Sequence, residues 1–143
     1  MSETFSAEER AAMKERAREL KAQGGNAKGA ARREKDTAAV LAAIAEMPDD
    51  DRVIAERIHE IVTEHAPELD PKTWYGMPGW AKDGKVVVFF QGAAKFTTRY
   101  ATLGFSEDAL LDDGTLWPTA YGITAITPAN EKIIADLIEK AVG

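Results

Sequence analysis

The sequence predicts an α+β fold with helices packed on one face of a mostly antiparallel sheet, plus an N-terminal helical extension. Apolar residues recur at helical spacing before residue 66 and again after residue 127. The segment between them is rich in β-branched and aromatic residues, and it contains the hairpin signal Asp83-Gly84. Strands that follow one another without intervening helices favour an antiparallel sheet.

Length and composition indicate one folded domain. The chain has 143 residues, of which 45% are hydrophobic and 29% charged, so it can bury a core. It contains no cysteine, which excludes disulfides, thiolate metal sites and cysteine nucleophiles. It has neither an apolar run of membrane-spanning length nor the apolar stretch of a secretory signal. We therefore expect a cytoplasmic protein.

Charge is distributed unevenly along the chain. Residues 1–36 carry nine basic and seven acidic side chains, a net charge of +2. Residues 37–143 carry nine basic and seventeen acidic side chains, a net charge of −8. An acidic domain repels nucleic acid and anionic membranes, so we expect neither as a partner. Cations or a basic protein are the partners that this field attracts.

Residues 1–35 are predicted to form a helical extension with a glycine-rich hinge. Ser6 and Glu9 have the spacing of a capping box, which predicts a helix over about residues 7–21. Its apolar side is narrow, so this helix needs a neighbour or a partner. Three glycines within six residues, in the segment 23–29, predict the hinge. The α+β domain then covers residues 36–143.

Two helices are predicted next, over about residues 36–47 and 51–65. Pro48 ends the first, and the aspartates at 49–51 suit the positive end of the second. The second helix has an apolar face and an opposite face of glutamates. Its apolar face consists of Ile54, Ile58, Ile61 and Val62.

The central segment predicts the strands. They cover about residues 72–77, 80–82, 85–91, 95–102 and 121–126. Asp83-Gly84 supplies the positive φ angles of a two-residue turn between the second and third of these strands. Ser106 is expected to cap a short helix that ends near Leu111. Thr127-Pro128 begins a final helix that runs to about Val142.

An acidic helix face is the candidate metal site. Glu56, Glu60 and Glu64 recur every four residues, and Asp50 and Asp51 extend the acidic set at the helix start. Carboxylate oxygens suit hard cations, so iron, calcium or magnesium are the candidate ions. The alternative is a solvated face that keeps an acidic protein soluble.

Aromatic residues in the second half of the chain are the candidate ligand site. These residues could line an apolar cleft with polar tips, which suits a small molecule, and Arg99 and Lys95 could hold an anionic group there. The alternative is that these residues form the core of the sheet. Gly76 and Pro78 weaken a strand ladder, so we expect an edge, a bulge or a sharp exit there. The candidate ligand residues are Trp74, Tyr75, Met77, Trp80, Arg99, Trp117 and Tyr121, with Met77 and Trp80 expected at a rim.

No residue pattern indicates a catalytic centre. Neither histidine belongs to a nucleophile motif, and the glycine-rich segment follows a helix and lacks the spacing of a phosphate-binding loop. We therefore predict a protein that is not an enzyme and requires no cofactor.

Several motifs carry a family resemblance. Trp74-Tyr75-Gly76-Met77-Pro78, then Asp83-Gly84-Lys85, then Tyr100-Ala101-Thr102-Leu103-Gly104-Phe105, resemble the YdhG-like domains of unknown function. These domains are grouped with YjbR-like and frataxin/CyaY-like domains, and the resemblance covers about residues 50–142. It implies an α+β sandwich with an antiparallel sheet. Some members are described as frataxin-like iron chaperones that bind iron through acidic surface residues. By character, the Glu56, Glu60 and Glu64 face and the preceding aspartates match that role.

Three functions are therefore open at this point. The first is an iron-binding or iron-delivery protein that uses the acidic helix face. The second is a small-ligand or peptide-binding module that uses the aromatic cleft. The third is an interaction domain whose N-terminal helix docks on a protein partner or on a second copy in a homodimer.

Overall fold

Helices surround one antiparallel sheet in the computed structural model, which describes the backbone of residues 6–23 and 29–143. Side chains are described for residues 6–19 and 29–143. The elements are α1 (Ala7–Gln23), α2 (Gly29–Ala45), α3 (Asp49–His65), β1 (Asp70–Trp74), β2 (Met77–Lys82), β3 (Lys85–Gln91), α4 (Ala93–Phe96), β4 (Ala101–Phe105), β5 (Ala120–Ile123) and α5 (Pro128–Val142). Most of the predicted hinge, at residues 24–28, lies outside the described residues.

The sheet has the strand order β1-β2-β3-β4-β5, and every neighbouring pair is antiparallel. This confirms the predicted α+β class with an antiparallel sheet. Helices α2, α3 and α5 contribute to one core cluster with β2, β3, β4 and β5. None of the described helices is both long and apolar enough to cross a membrane.

The structure agrees with the predicted bounds of three helices and differs at the start of α2. Helices α1, α3 and α5 form where the patterns predict them. Thr127 caps α5, because its hydroxyl accepts a hydrogen bond from the Asn130 amide at 3.1 Å. Helix α2 begins at Gly29 rather than near residue 36, and it packs along β1. The predicted boundary between extension and domain therefore falls inside α2.

The first hairpin replaces the single strand predicted over residues 72–77. Trp74 pairs with Met77, so Tyr75 and Gly76 form a two-residue turn between β1 and β2. Their φ angles are 54° and 77°, and positive values at both positions are what a type I′ turn requires. The sharp exit expected near Gly76 is therefore a turn within the sheet.

The second hairpin confirms its prediction. Asp83 and Gly84 have φ angles of 53° and 82° and connect β2 to β3. The β2–β3 ladder also shifts register between Trp80 and Ala81. Such an irregularity turns the strand locally and changes which residues face the core.

Two further predictions are wrong. The strand predicted over residues 95–102 is instead helix α4, which Thr97 ends with a φ of 55°, and β4 begins only at Ala101. The short helix expected after Ser106 is a turn in which the Ser106 hydroxyl accepts a hydrogen bond from the Asp108 amide at 3.2 Å.

The two faces of the sheet carry different side chains. The core face carries Trp80, Phe90 and Leu103, which pack against the helices. The opposite face carries Phe89, whose strand partners are Gly79 and Gly104. A Cβ atom on Gly104 would lie 2.2 Å from Cζ of Phe89, so glycine provides the space in which that ring lies.

A half-buried histidine is expected to make stability depend on pH. Trp80 Nε1 donates a hydrogen bond to His59 Nδ1 at 3.2 Å, and burial lowers the pKa of His59 against the opposing effect of Glu60. The unfolded chain has a histidine pKa of about 6.5 and so binds more protons below that pH. We expect the melting temperature to fall as the pH drops below about 7, because the unfolded chain then takes up a proton at His59 that the folded protein does not. The variant His59→Gln should lose this dependence, and an unchanged pH profile in that variant would contradict the assignment.

Candidate ligand-binding groove

Two adjoining depressions form a groove between α2, the β1–β2 turn and α4. Each has a volume of about 400 Å³. They share the four residues Ala43, Glu46, Gly76 and Lys95. We call this concave surface the turn groove. Volumes of this size suit small molecules.

Lys95 marks the centre of the turn groove. A Cβ atom on Gly76 would lie 2.2 Å from Lys95 Nζ and 3.1 Å from Glu15 Cγ. The missing side chain at Gly76 therefore leaves space for the ammonium group, in addition to permitting the turn. Lys95 also points toward the Tyr75 carbonyl oxygen, which lies 3.5 Å from its Nζ.

The walls of the turn groove combine small apolar and charged side chains. Ala39 and Ala43 of α2 leave the groove open, and Met77, which is buried, forms part of its apolar surface. Charges of both signs surround this surface. They are Glu15, Arg18, Glu19, Lys35, Asp36, Glu46, Asp51 and Lys95. This arrangement can bind a ligand that has a short apolar part and an ionic group.

Two titratable groups near β1 have shifted pKa values. Burial raises the pKa of Asp36, although Arg32 and Lys72 oppose the shift. Burial shifts the pKa of Lys72 in the opposite direction and lowers it, and the positive charge of Arg16 adds to this shift. Asp36 lines the turn groove. Perturbed groups beside a concave surface are typical of functional sites.

A buried carboxylate attaches α1 to the β1–β2 turn. Glu19 accepts a hydrogen bond from the Tyr75 amide at 2.9 Å and from the Gly76 amide at 2.8 Å, one on each carboxylate oxygen. Arg16 lies 3.5 Å from the same carboxylate, and its guanidinium carbon is 5.7 Å from the centre of the Tyr75 ring. Glu19 thus forms part of the groove wall while occupying both amides of the turn.

Asp51 makes an equivalent contact at the other end of the groove. It is buried, and its two oxygens accept hydrogen bonds from the Ala93 and Ala94 amides at 3.1 and 2.9 Å. These amides begin α4, whose Lys95 reaches the groove centre. Asp51 therefore fixes α4 to α3 and has both oxygens engaged.

The five predicted metal ligands do not come together. Glu56, Glu60, Glu64 and Asp50 are exposed on α3, whereas Asp51 is turned inward. Glu60 is paired with Arg57 at 3.0 Å, and Arg57 also contacts Glu131 of α5 at 2.7 Å. Within residues 6–23 and 29–143, no group of three or more histidine, aspartate or glutamate side chains is arranged to hold a metal ion.

The predicted aromatic cleft is divided among separate places. Trp74 and Tyr75 are in contact, with ring centres 5.0 Å apart, and Trp74 also meets Phe89 at 5.0 Å. Trp80 is fully buried under α3, so its expected place at a rim is wrong. The rim position expected for Met77 is also wrong, since only 7% of that residue is exposed.

The remaining predicted ligand residues lie on β5 and in the connections before and after β4. Tyr121 contacts Phe105 edge to face at 6.2 Å, and Trp117 packs partly buried against the core. Arg99 is exposed and lies over the ring of Tyr100 at 5.1 Å. Of the seven predicted residues, Met77 alone lines the turn groove, as described above.

Sequence reasoning placed Lys95 only as an anion-holding residue of the aromatic cleft, and it missed Glu19 and the turn groove that both residues shape. Glu19 and Lys95 belong to elements far apart in the chain, and no local spacing connects them. The available signal was Gly76, because a glycine between two apolar residues permits a two-residue turn.

Comparisons with known proteins returned no match. No family model matches the chain, and no similar curated protein or solved structure was found. The YdhG-like resemblance thus stays a prediction that depends on the motifs quoted above.

Proposed function

We propose that this protein is a non-enzymatic binding module whose turn groove takes a small ligand or a peptide segment with an anionic group. The observation that supports this function is the position of Lys95 in the groove and its lack of an ion-pair partner among the described residues. Glu15, whose Cγ also lies beside Gly76, is paired with Arg18 at 3.2 Å. Within the described parts of the chain, Lys95 has no ion-pair partner. A cation at the centre of a groove is suited to an anionic ligand.

The test is a thermal-shift screen of carboxylates, phosphates and acidic peptides, followed by calorimetry on the ligands that stabilise the protein. We expect Lys95→Met to weaken binding about tenfold or more, because a charge-assisted hydrogen bond is lost. The matched control is Lys132→Met, since Lys132 is exposed on α5 and lies outside the groove. The proposal fails if no ligand class stabilises the protein, or if both variants bind as the wild type does.

Iron binding by the α3 face is a second candidate function. It is supported by the shared exposure of Glu56, Glu60 and Glu64. Neither Glu56 nor Glu64 has an ion-pair partner within the described residues. Exposed carboxylates without an ion-pair partner are available to a hard cation.

Calorimetric titration with ferrous iron tests this candidate. The variant with Glu56→Gln, Glu60→Gln and Glu64→Gln should lose the binding heat. The matched control changes the same number of exposed acids elsewhere, with Glu107→Gln, Asp112→Asn and Asp113→Asn. Iron binding by this face is rejected if the wild type gives no heat or if both triple variants behave alike.

The cytoplasmic location and the homodimer stay predictions.

A further inference from the structure

We infer that the Tyr75–Gly76 turn is a carboxylate-binding site, that Glu19 occupies it within the same chain, and that a carboxylate of the groove ligand displaces Glu19. The inference deepens the proposed function and rests on it for the identity of the groove as the ligand site. It names the ligand class as carboxylates. It also gives α1 the role of a displaceable cover.

The turn itself provides the binding groups. Two successive amides donate to the two oxygens of one carboxylate at 2.9 and 2.8 Å, which is the length of charge-assisted hydrogen bonds. Successive amides in a turn conformation form a concave anion site. Their direction is set by the positive φ angles of Tyr75 and Gly76 and by the strand pairs on either side. The site therefore belongs to the sheet and does not require α1.

The described side chains of α1 are mostly exposed. Of the side chains described in α1, at residues 7–19, only Ala12 and Glu19 are buried. Burial of a single methyl group contributes less free energy than two hydrogen bonds to a charged group. Glu19 is thus the principal described anchor of α1, and a competing carboxylate acts on that anchor directly.

Lys95 makes the site suitable for a groove ligand. Its ammonium group lies beside Gly76 and comes from α4, so it remains when α1 leaves. A ligand carboxylate at the turn would then accept from the same two amides as Glu19, with the Lys95 ammonium beside Gly76 as a neighbouring cation. The rest of that ligand would extend along Ala43 and Met77, which line the adjoining half of the groove.

Chemical rescue tests the inference on the full chain. Glu19→Ala should lower the melting temperature, and acetate should restore part of the loss where chloride at equal ionic strength does not. The Tyr75 and Gly76 amide resonances should shift saturably with acetate in this variant. Glu9→Ala is the control, because Glu9 belongs to the exposed capping box of the same helix. A response to chloride equal to that to acetate would overturn the inference.

A second variant keeps the test decisive if Glu19→Ala fails to fold. Glu19→Gln keeps the length of the side chain and one oxygen acceptor but removes its charge. Acetate should then compete with the carboxamide and shift the Tyr75 and Gly76 amide resonances saturably. Absence of that shift in the folded glutamine variant overturns the inference.

The two proposals fail in different ways. A carboxylate ligand found in the screen should bind Glu19→Gln about tenfold more tightly than the wild type, because the competitor within the chain is weakened. If Lys95→Met weakens the binding of that ligand while Glu19→Gln leaves its affinity unchanged, the inference fails and the proposed function stands. If acetate binds the Glu19 variants but no ligand binds the wild type, the proposed function fails and the carboxylate site stands.

Discussion

Replacement of Trp80 by alanine is expected to lower the free energy of unfolding by about 3–5 kcal/mol. Trp80 is fully buried, so the substitution removes a large apolar side chain and leaves a cavity under α3. It also removes the indole N–H that donates a hydrogen bond to His59 Nδ1. Since domains of this size are stable by about 5–15 kcal/mol, the loss is a large share of the total. Urea denaturation measures it as a lower midpoint at an unchanged slope.

Two further variants separate the contributions of Trp80. Trp80→Phe keeps an aromatic ring and loses the N–H donor, so it should be less destabilising than Trp80→Ala. Leu116→Ala changes a side chain that is 88% exposed and should stay within about 0.5 kcal/mol of the wild type. A loss below about 1 kcal/mol for Trp80→Ala would contradict the burial described here.

Replacement of Asp51 by alanine is the second large effect, with an expected loss of about 2–4 kcal/mol. The carboxylate accepts hydrogen bonds from the two amides that begin α4. Alanine leaves those two donors without their acceptor. We also expect α4 to lose its fixed position, because a helix of four residues has little stability of its own. Urea denaturation gives the loss, and the Ala93 and Ala94 amide resonances report the local change.

Asp50→Ala is the matched control for Asp51→Ala. Asp50 precedes Asp51 in the first turn of α3 and has the same favourable position relative to the helix dipole, but it is exposed. Its replacement should cost less than about 1 kcal/mol. Equal losses in the two variants would show that the helix dipole, rather than the contact with α4, explains the effect.

Local sequence patterns predicted those elements that local chemistry determines. The turn at Asp83-Gly84 was predicted because both residues tolerate positive φ angles. The turn at Tyr75-Gly76 was not predicted, since tyrosine rarely adopts such an angle. Here the pairing of Trp74 with Met77 on either side of the turn holds the tyrosine in place.

Contacts between distant residues explain the wrong strand over residues 95–102. The composition of that segment favours a strand, but the Asp51 carboxylate binds the start of α4 across 42 positions of the chain. Thr97 then ends the helix in the left-handed conformation. A pattern read within a short window contains no information about such a partner.

The candidate site was harder to predict than the fold because strand register decides which side chains meet. Trp74 and Trp80 have the same chemical character, yet Trp74 meets Phe89 on one face and Trp80 meets His59 on the other. The turn groove has a similar origin. Its Lys95 and Glu19 meet at Gly76 only after the first hairpin has formed.

The uninterrupted strand order has a consequence for how the chain folds. Each strand pairs with the strand that precedes it in sequence, so each step of sheet assembly closes only a short loop. Contacts of low sequence separation favour rapid folding. Strand β5 has a single strand neighbour and joins β4 through the longest connection between paired strands. In native-state hydrogen exchange, its amides should therefore open at a lower free energy than those of β2 and β3.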